Sequence, residues 1–143
     1  LELRWKARAT DANVSTQVRL RFNGDTASNY DWWYAQIISG VGYGVNQLLA
    51  TTGARIGTIP AATATANEAG SGKLEIEDYA RSTFIKTAHG QSVEMSGTGA
   101  SAQIGQQNFI HWRSTAAITS IVLTDESGGN FLAGSRFDLY GVI

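Results

Sequence analysis

The chain carries no cysteine, one proline (Pro60), one methionine (Met95) and only two histidines among its 143 residues. Without cysteine, disulfides and thiolate metal sites are excluded, and the redox compartment is left open. His89 in TAHGQ and His111 in FIHWR stand far apart with no H-E-x-x-H spacing, so no zinc signature exists. An excess of one charge is lacking too: 11 Lys and Arg against 12 Asp and Glu leave a net charge of −1. The large basic excess of a nucleic-acid binder is therefore missing. No apolar run approaches the ~18 residues of a membrane-crossing helix. Neither nucleic acid nor membrane is an expected partner. Because the chain opens at Leu1 and its one methionine is Met95, the native start is expected upstream.

Glycine is what the chain has in plenty, 16 residues with many Ser, Thr, Ala and Asn. That composition suits short strands joined by tight turns, and the length suits a single domain over residues 1–143. The opening LELRWKARA alternates cleanly. Leu1, Leu3, Trp5, Ala7 and Ala9 share one face, while Glu2, Arg4, Lys6 and Arg8 share the other, the period of a strand with one wet side. STQVRLRF repeats the pattern, with Val18, Leu20 and Phe22 inward and Arg19 and Arg21 outward. Asn23-Gly24-Asp25 then reads as a turn.

NGDTASNYDWWY leads into the most aromatic segment of the chain. As a strand from Tyr30 to Ile38 it places Tyr30, Trp32 and Tyr34 on one face and Asp31, Trp33, Ala35 and Ile37 on the other. A half-buried strand is polar on its second face. This one is apolar on both, so a partner or the following segment is expected to cover it. Glycines punctuate residues 39–58, which read as a long connection with at most a turn of helix near Val45–Ala50. Further strands are expected in KLEIEDYA, in TFIKTAHG and SVEM on either side of Gly90, and in NFIHW, AAITSIVLT and FDLYGVI. Eight to ten short strands with long crossings predict an all-β, jelly-roll-like antiparallel sandwich.

Reactive groups are sparse. Ser96-Gly97-Thr98-Gly99 does not match the G-x-S-x-G elbow of a serine nucleophile. Gly40-Val41-Gly42-Tyr43-Gly44 lacks the Lys-Ser/Thr and the helix of a phosphate loop. Glu75 and Glu77 share a strand face, which a charged outer surface explains without catalysis. Asp25, Asn29 and Asp31 carry oxygens that calcium could use, but turns use the same residues. No enzyme, cofactor or metal is expected. Arg19 and Arg21 against Glu75 and Glu77 offer two charged faces, either paired within the chain or set between subunits. Tyr30, Trp32, Trp33, Tyr34, Tyr43 and Trp112 are the candidate contact residues, since Trp and Tyr concentrate at interface centres. Trp32 and Trp33 lead that set.

Three strings carry a resemblance: VRLRFNGDTASNYDW, KLEIEDYARSTFIKTAHGQS and STAAITSIVLTDESGGNFLAGSRFDLYGVI. Together they resemble small virion proteins of tailed bacteriophages, most distinctively in the closing Gly-Ser-x-Phe-x-Leu-Tyr-Gly, over most of the chain except residues 39–72. The resemblance implies a non-enzymatic structural component located in the virion, a decoration or tail-associated protein. Its partners would be other virion proteins and further copies of itself, and host-surface attachment would be a second role. The alternative is a carbohydrate-binding module that stacks a glycan on Trp32, Tyr34, Tyr43 or Trp112. Phe137 and Leu139 are expected to point inward from the last strand, and Val142 and Ile143 to pin it in the sheet.

Overall fold

Each alternating segment becomes a strand because it buries one apolar row against a common interior. The computed structural model describes residues 1–99 and 102–141, which form ten strands and no helix. These are β1 Glu2–Ala7, β2 Ser15–Phe22, β3 Tyr30–Ile38, β4 Gly42–Thr51 and β5 Ala54–Pro60. They continue as β6 Gly70–Ile76, β7 Lys86–Met95, β8 Gln103–Trp112, β9 Ile121–Asp125 and β10 Arg136–Tyr140. Two antiparallel sheets result, a seven-stranded one ordered β10-β1-β6-β7-β8-β3-β4 and a three-stranded one ordered β5-β2-β9. First pairs with last, second with ninth and third with eighth. That nesting is how a long folded ribbon rolls into a sandwich, the jelly-roll-like wrapping expected from the sequence.

Leu3, Trp5, Val18, Leu20, Phe22, Trp32, Ile56, Leu74 and Ile110 belong to one buried cluster between the sheets. β5 lies across β7 and β8, with less contact to β6 and least to β3. The small sheet thus covers the middle of the large one. Among the described residues nothing overlies the large sheet toward β4, and all ten β4 positions are open or half-open: eight are fully exposed, and only Gly44 and Thr51 are partly covered.

Several boundaries differ from the sequence expectation. Residues 39–58 form no crossover or helical turn; β4 is the second arm of a hairpin with β3, paired from Ile38–Gly42 to Tyr30–Thr51. Its tight turn uses Gly40 and Gly42 at φ of 72° and 116°, angles that suit glycine. Gly90 does not separate two strands but sits mid-way along β7. A Cβ there would lie 2.1 Å from the Lys73 carbonyl oxygen and 2.8 Å from Leu74 Cα, so only glycine lets β6 approach. AAITSIVLT yields a strand only from Ile121. Upstream, the amides of Thr119 and Ser120 donate to Asn23 Oδ1, and Ile118 N donates to the Tyr79 carbonyl. Those bonds replace a ladder. Phe137 packs on the core as expected, whereas Leu139 is 52% exposed. The pinning proposed for Val142 and Ile143 lies outside the described residues.

The wet faces also differ in detail. Arg8 is not a solvated surface charge. Its guanidinium donates to the carbonyls of Ala62, Ala64, Thr65 and Glu68, closing the loop before β6 around itself. Such charge-assisted bonds satisfy loop carbonyls that no strand would reach.

Candidate functional site

β3 divides its aromatics by the simple alternation of a strand. Tyr30, Trp32 and Tyr34 turn inward and are 0%, 2% and 6% exposed. Trp32 and Tyr34 stack with centroids 5.8 Å apart, and the Arg55 guanidinium lies 4.9 Å over the Trp32 ring. Tyr30 stacks on Trp112, and its hydroxyl accepts from the Phe22 amide at 2.9 Å. Burial drives the Tyr30 pKa up to about 12. Trp112 donates its indole N–H to Asp25 at 2.8 Å. Tyr30, Trp32, Tyr34 and Trp112 are therefore core residues rather than the exposed contact residues that the sequence suggested. Their neighbours in the second sheet supply the cover.

Trp33 and Tyr43 have the opposite fate. They are 41% and 71% exposed on the outer face of the large sheet. Register places Gln47, Trp33, Phe109 and His89 in one row across β4, β3, β8 and β7. The next row but one holds Tyr43, Ile37, Gly105 and Val93. Trp33 stacks on Phe109 with centroids 5.4 Å apart. Beside that pair lies a shallow hollow of about 410 Å³ edged by His89, Ile110 and His111. A second, of about 310 Å³, is floored by Gly105 between Tyr43, Ile37, Val93, Gln91 and Gln107. Ile37, Val41, Val45, Leu48 and Leu49 are 47–67% exposed around the same hairpin. These residues were missed in the sequence, although a signal was present: no charged residue stands between Asp31 and Arg55.

The same outer face turns charged toward β10. Across β6, β1 and β10 it carries Lys73, Glu75, Glu2, Arg4, Arg136 and Asp138. Glu75 accepts from Lys73 at 3.0 Å, and that bond, with the Lys73 charge, holds its carboxyl below the usual range. Arg4 pairs with Glu2 of its own strand and lies 5.2 Å over the Tyr140 ring. Glu77 falls just past the end of β6, so it shares no strand face with Glu75. Arg19 and Arg21 are on β2 in the other sheet, remote in topology from Glu75. Arg19 bonds Glu126 at 2.9 Å, and Arg21 donates to the Thr52 carbonyl at 2.7 Å. Both are engaged within the chain, so the pairing of these two arginines with an acidic face across subunits is not supported.

The oxygens of Asp25 and Asp31, which calcium could use, are likewise committed. Asp25 accepts from Ala27 N, Asn29 Nδ2 and Trp112 Nε1, bonds that lower its pKa. Asp31 is buried, which alone would raise its pKa. The Arg113 fork at 2.6 and 2.8 Å and the Ala50 amide at 2.9 Å outweigh burial and hold it low. Among the described residues no three His, Asp or Glu side chains gather to hold a metal. His89 and His111 lie at 3.7 and 3.8 Å from Glu75 and Asp31 respectively, each half-open to solvent.

Inside the sandwich a polar thread runs from Gln17 through Thr58 to Gln106 and Ser92, with Asn108 bonded to Ser92. Nearby, Glu94 is 2% exposed, and among the described residues neither of its oxygens has a partner at hydrogen-bond distance and angle. Desolvation raises its pKa to about 7, against relief from the neighbouring Ser96 and Ser15 hydroxyls and with a further push from Glu68.

Compared with known proteins, the chain matches no family model, and neither a curated protein nor a solved structure is detectably similar to it. The fold and surface together define an all-β sandwich with a group of exposed apolar side chains at the β3–β4 end of its large sheet.

Proposed function

We propose that this chain is a non-enzymatic structural component of a tailed-phage virion, a decoration or tail-associated protein that works by association. The observation that carries the reading is the uncovered β3–β4 hairpin, with Trp33, Ile37, Tyr43, Val45 and Leu49 facing outward and no charge among them. Contiguous exposed apolar surface on a soluble domain marks a contact site rather than a solvated face. The setting is the one implied by the resemblance of its closing strand to small virion proteins of tailed bacteriophages. Its partners are other virion proteins and further copies of itself. Immunogold labelling of purified particles with an antibody raised against the chain tests the assignment. Labelled virions are expected; a chain confined to the non-particle fraction of the lysate would remove the reading.

One observation favours a second reading, glycan binding at the host surface. The Gly105-floored trough sets an exposed Tyr43 ring beside the amides of Gln91 and Gln107, the pairing of stacking surface and hydrogen bonding that sugars use. Trp32, Tyr34 and Trp112 leave that scheme because they are buried. A glycan array probed with the chain and with Tyr43→Ala discriminates the two: sugar binding lost in the variant supports it, and an array without signal removes it.

A further inference from the structure

The two sheets present four edge strands, β10 and β4 on the large sheet and β5 and β9 on the small one. An unpaired edge offers a row of free N–H and C=O groups to any other strand, so folded proteins blunt their edges with charge, proline, shortness or cover. β10 is five residues long and carries Arg136 and Asp138, bonded to each other at 2.9 Å. β9 is five residues long and ends on Asp125, which accepts from Thr16 and Gly129. β5 is buried along nearly its whole length under the large sheet and closes on Pro60. β4 has none of these devices along its pairing stretch. It is ten residues long, contains no Lys, Arg, Asp, Glu or Pro, and is exposed on both faces. Its one irregularity lies at the far end, where Leu49 and Ala50 together oppose Asp31 and Ala50 takes a φ of 53°. That bulge ends the regular segment and leaves Gly42–Leu48 as the open edge.

We propose that this edge pairs with the same edge of a second copy, antiparallel about a two-fold axis near Val45, so that two large sheets become one continuous sheet. This rests on the association reading above and names its partner. The argument for a second copy is electrostatic and geometric. An isologous contact sets a patch against itself, and any charge near the axis would then meet its like. A strand free of charge on both faces is suited to that contact, whereas a differently charged partner would find nothing to complement. The open edge Gly42–Leu48 is seven residues, roughly 24 Å long. With Tyr43, Val45 and Gln47 on one side and Asn46 and Leu48 on the other, pairing covers exposed apolar side chains on both faces of the sheet as well as the backbone edge. The outer hollows beside Trp33 and Gly105 would then lie on both flanks of the seam.

The test uses the complete chain. Its mass in solution is measured over a concentration series, beside Val45→Lys, Val45→Glu and an equimolar mixture of the two. Val45 is 64% exposed, so either charge leaves the fold intact, as far-ultraviolet circular dichroism checks. The wild-type chain is expected at twice the 15.3 kDa of the single chain. Each variant alone is expected to fall to that single mass, and mixing them is expected to restore the double mass. In the dimer, amide exchange should slow along Gly42–Leu48 alone. A wild-type monomer at every concentration, or a Val45→Lys variant that stays dimeric, overturns the proposal. So does an open series of larger species, which would join β4 to β10 of the next copy. Variants that stay single when mixed would place the two Val45 side chains apart, away from the axis, and overturn the two-fold. Presence of the chain in purified particles is read separately, so the virion assignment can fail while the dimer stands, or the reverse.

Discussion

Under the small sheet and beyond it, the seven-stranded sheet obeys opposite rules. Where β5 overlies β7 and β8, the inward positions other than Glu94 are small, apolar or internally bonded, and even Lys86 is buried, with its Nζ donating to the carbonyls of Phe84 and Thr115. Where the sheet extends past that cover to β4, large apolar side chains stand in solvent on both faces. Residue type does not set the difference, since valine, leucine, tyrosine and tryptophan occur in both regions. Cover sets it. The lesson is that an apolar strand is evidence of burial only when a second layer reaches it, and an apolar strand without one is a surface waiting for contact.

Adjacent tryptophans give the sharpest way to break that comparison. Trp32 is closed in by Tyr34 and Arg55, while Trp33 rests on Phe109 with its outer side open. Trp32→Ala is expected to cost about 3–5 kcal/mol, the range of a buried aromatic truncation. Trp33→Ala is expected to cost about 1 kcal/mol or less, since it loses one stacking contact and little burial. Chemical denaturation of the two variants measures both. Equal losses would mean that the outer face is covered in the isolated chain, and the distinction between the two regions would fall.

Titration sharpens the comparison from the covered side. Glu94 inside the sandwich and Glu75 on the open face are the same residue type with opposite shifts, the first raised to about 7 by burial, the second lowered by Lys73. A carboxyl whose folded pKa exceeds its unfolded value near 4.5 holds its proton longer in the native state. Its contribution to stability is complete below pH 4.5 and is lost as pH rises through 7. The loss amounts to on the order of 3 kcal/mol, from ~1.4 kcal/mol per pKa unit. Melting curves from pH 4.5 to pH 8 should therefore decline in wild type and flatten in Glu94→Gln. A variant that keeps the full decline would move its origin to another group.

Much of this organisation was legible beforehand. The alternation in β1 and β2, the turn at Asn23-Gly24 and the inward row Val18, Leu20 and Phe22 follow from period and turn chemistry alone. The β3–β4 hairpin was not legible, because five glycines from Gly40 to Gly57 dilute a strand signal and the eye reads them as loop. Gly90 misled for the same reason: it marks a close approach of β6, which no local pattern announces. For the candidate site, both faces of the aromatic strand were correctly seen as apolar. Which face met the second sheet depended on the placement of β5, a contact between distant segments. Only Trp33 and Tyr43 of the six aromatic candidates are open to a partner, and the absence of charge from Trp32 to Ala54 was the better guide.

The smallest expected effect compares the two edges directly. β10 is an edge strand like β4, yet its Phe137 ring reaches the core and packs against Phe131 with centroids 4.7 Å apart. Leu48 of β4 points to the same side of the sheet, opposite Trp32 in the register, and remains 47% exposed. Phe137→Ala should cost about 2 kcal/mol, less than a fully buried aromatic because the ring is only partly enclosed. Leu48→Ala should cost about 0.5 kcal/mol in the monomer, since little area leaves contact with protein. Measured at concentrations where pairing is absent, a ratio near unity would show that the β4 end is packed as firmly as the β10 end. Measured where pairing is present, the Leu48→Ala cost should rise and the Phe137→Ala cost should not, because only one of the two edges changes its surroundings on association.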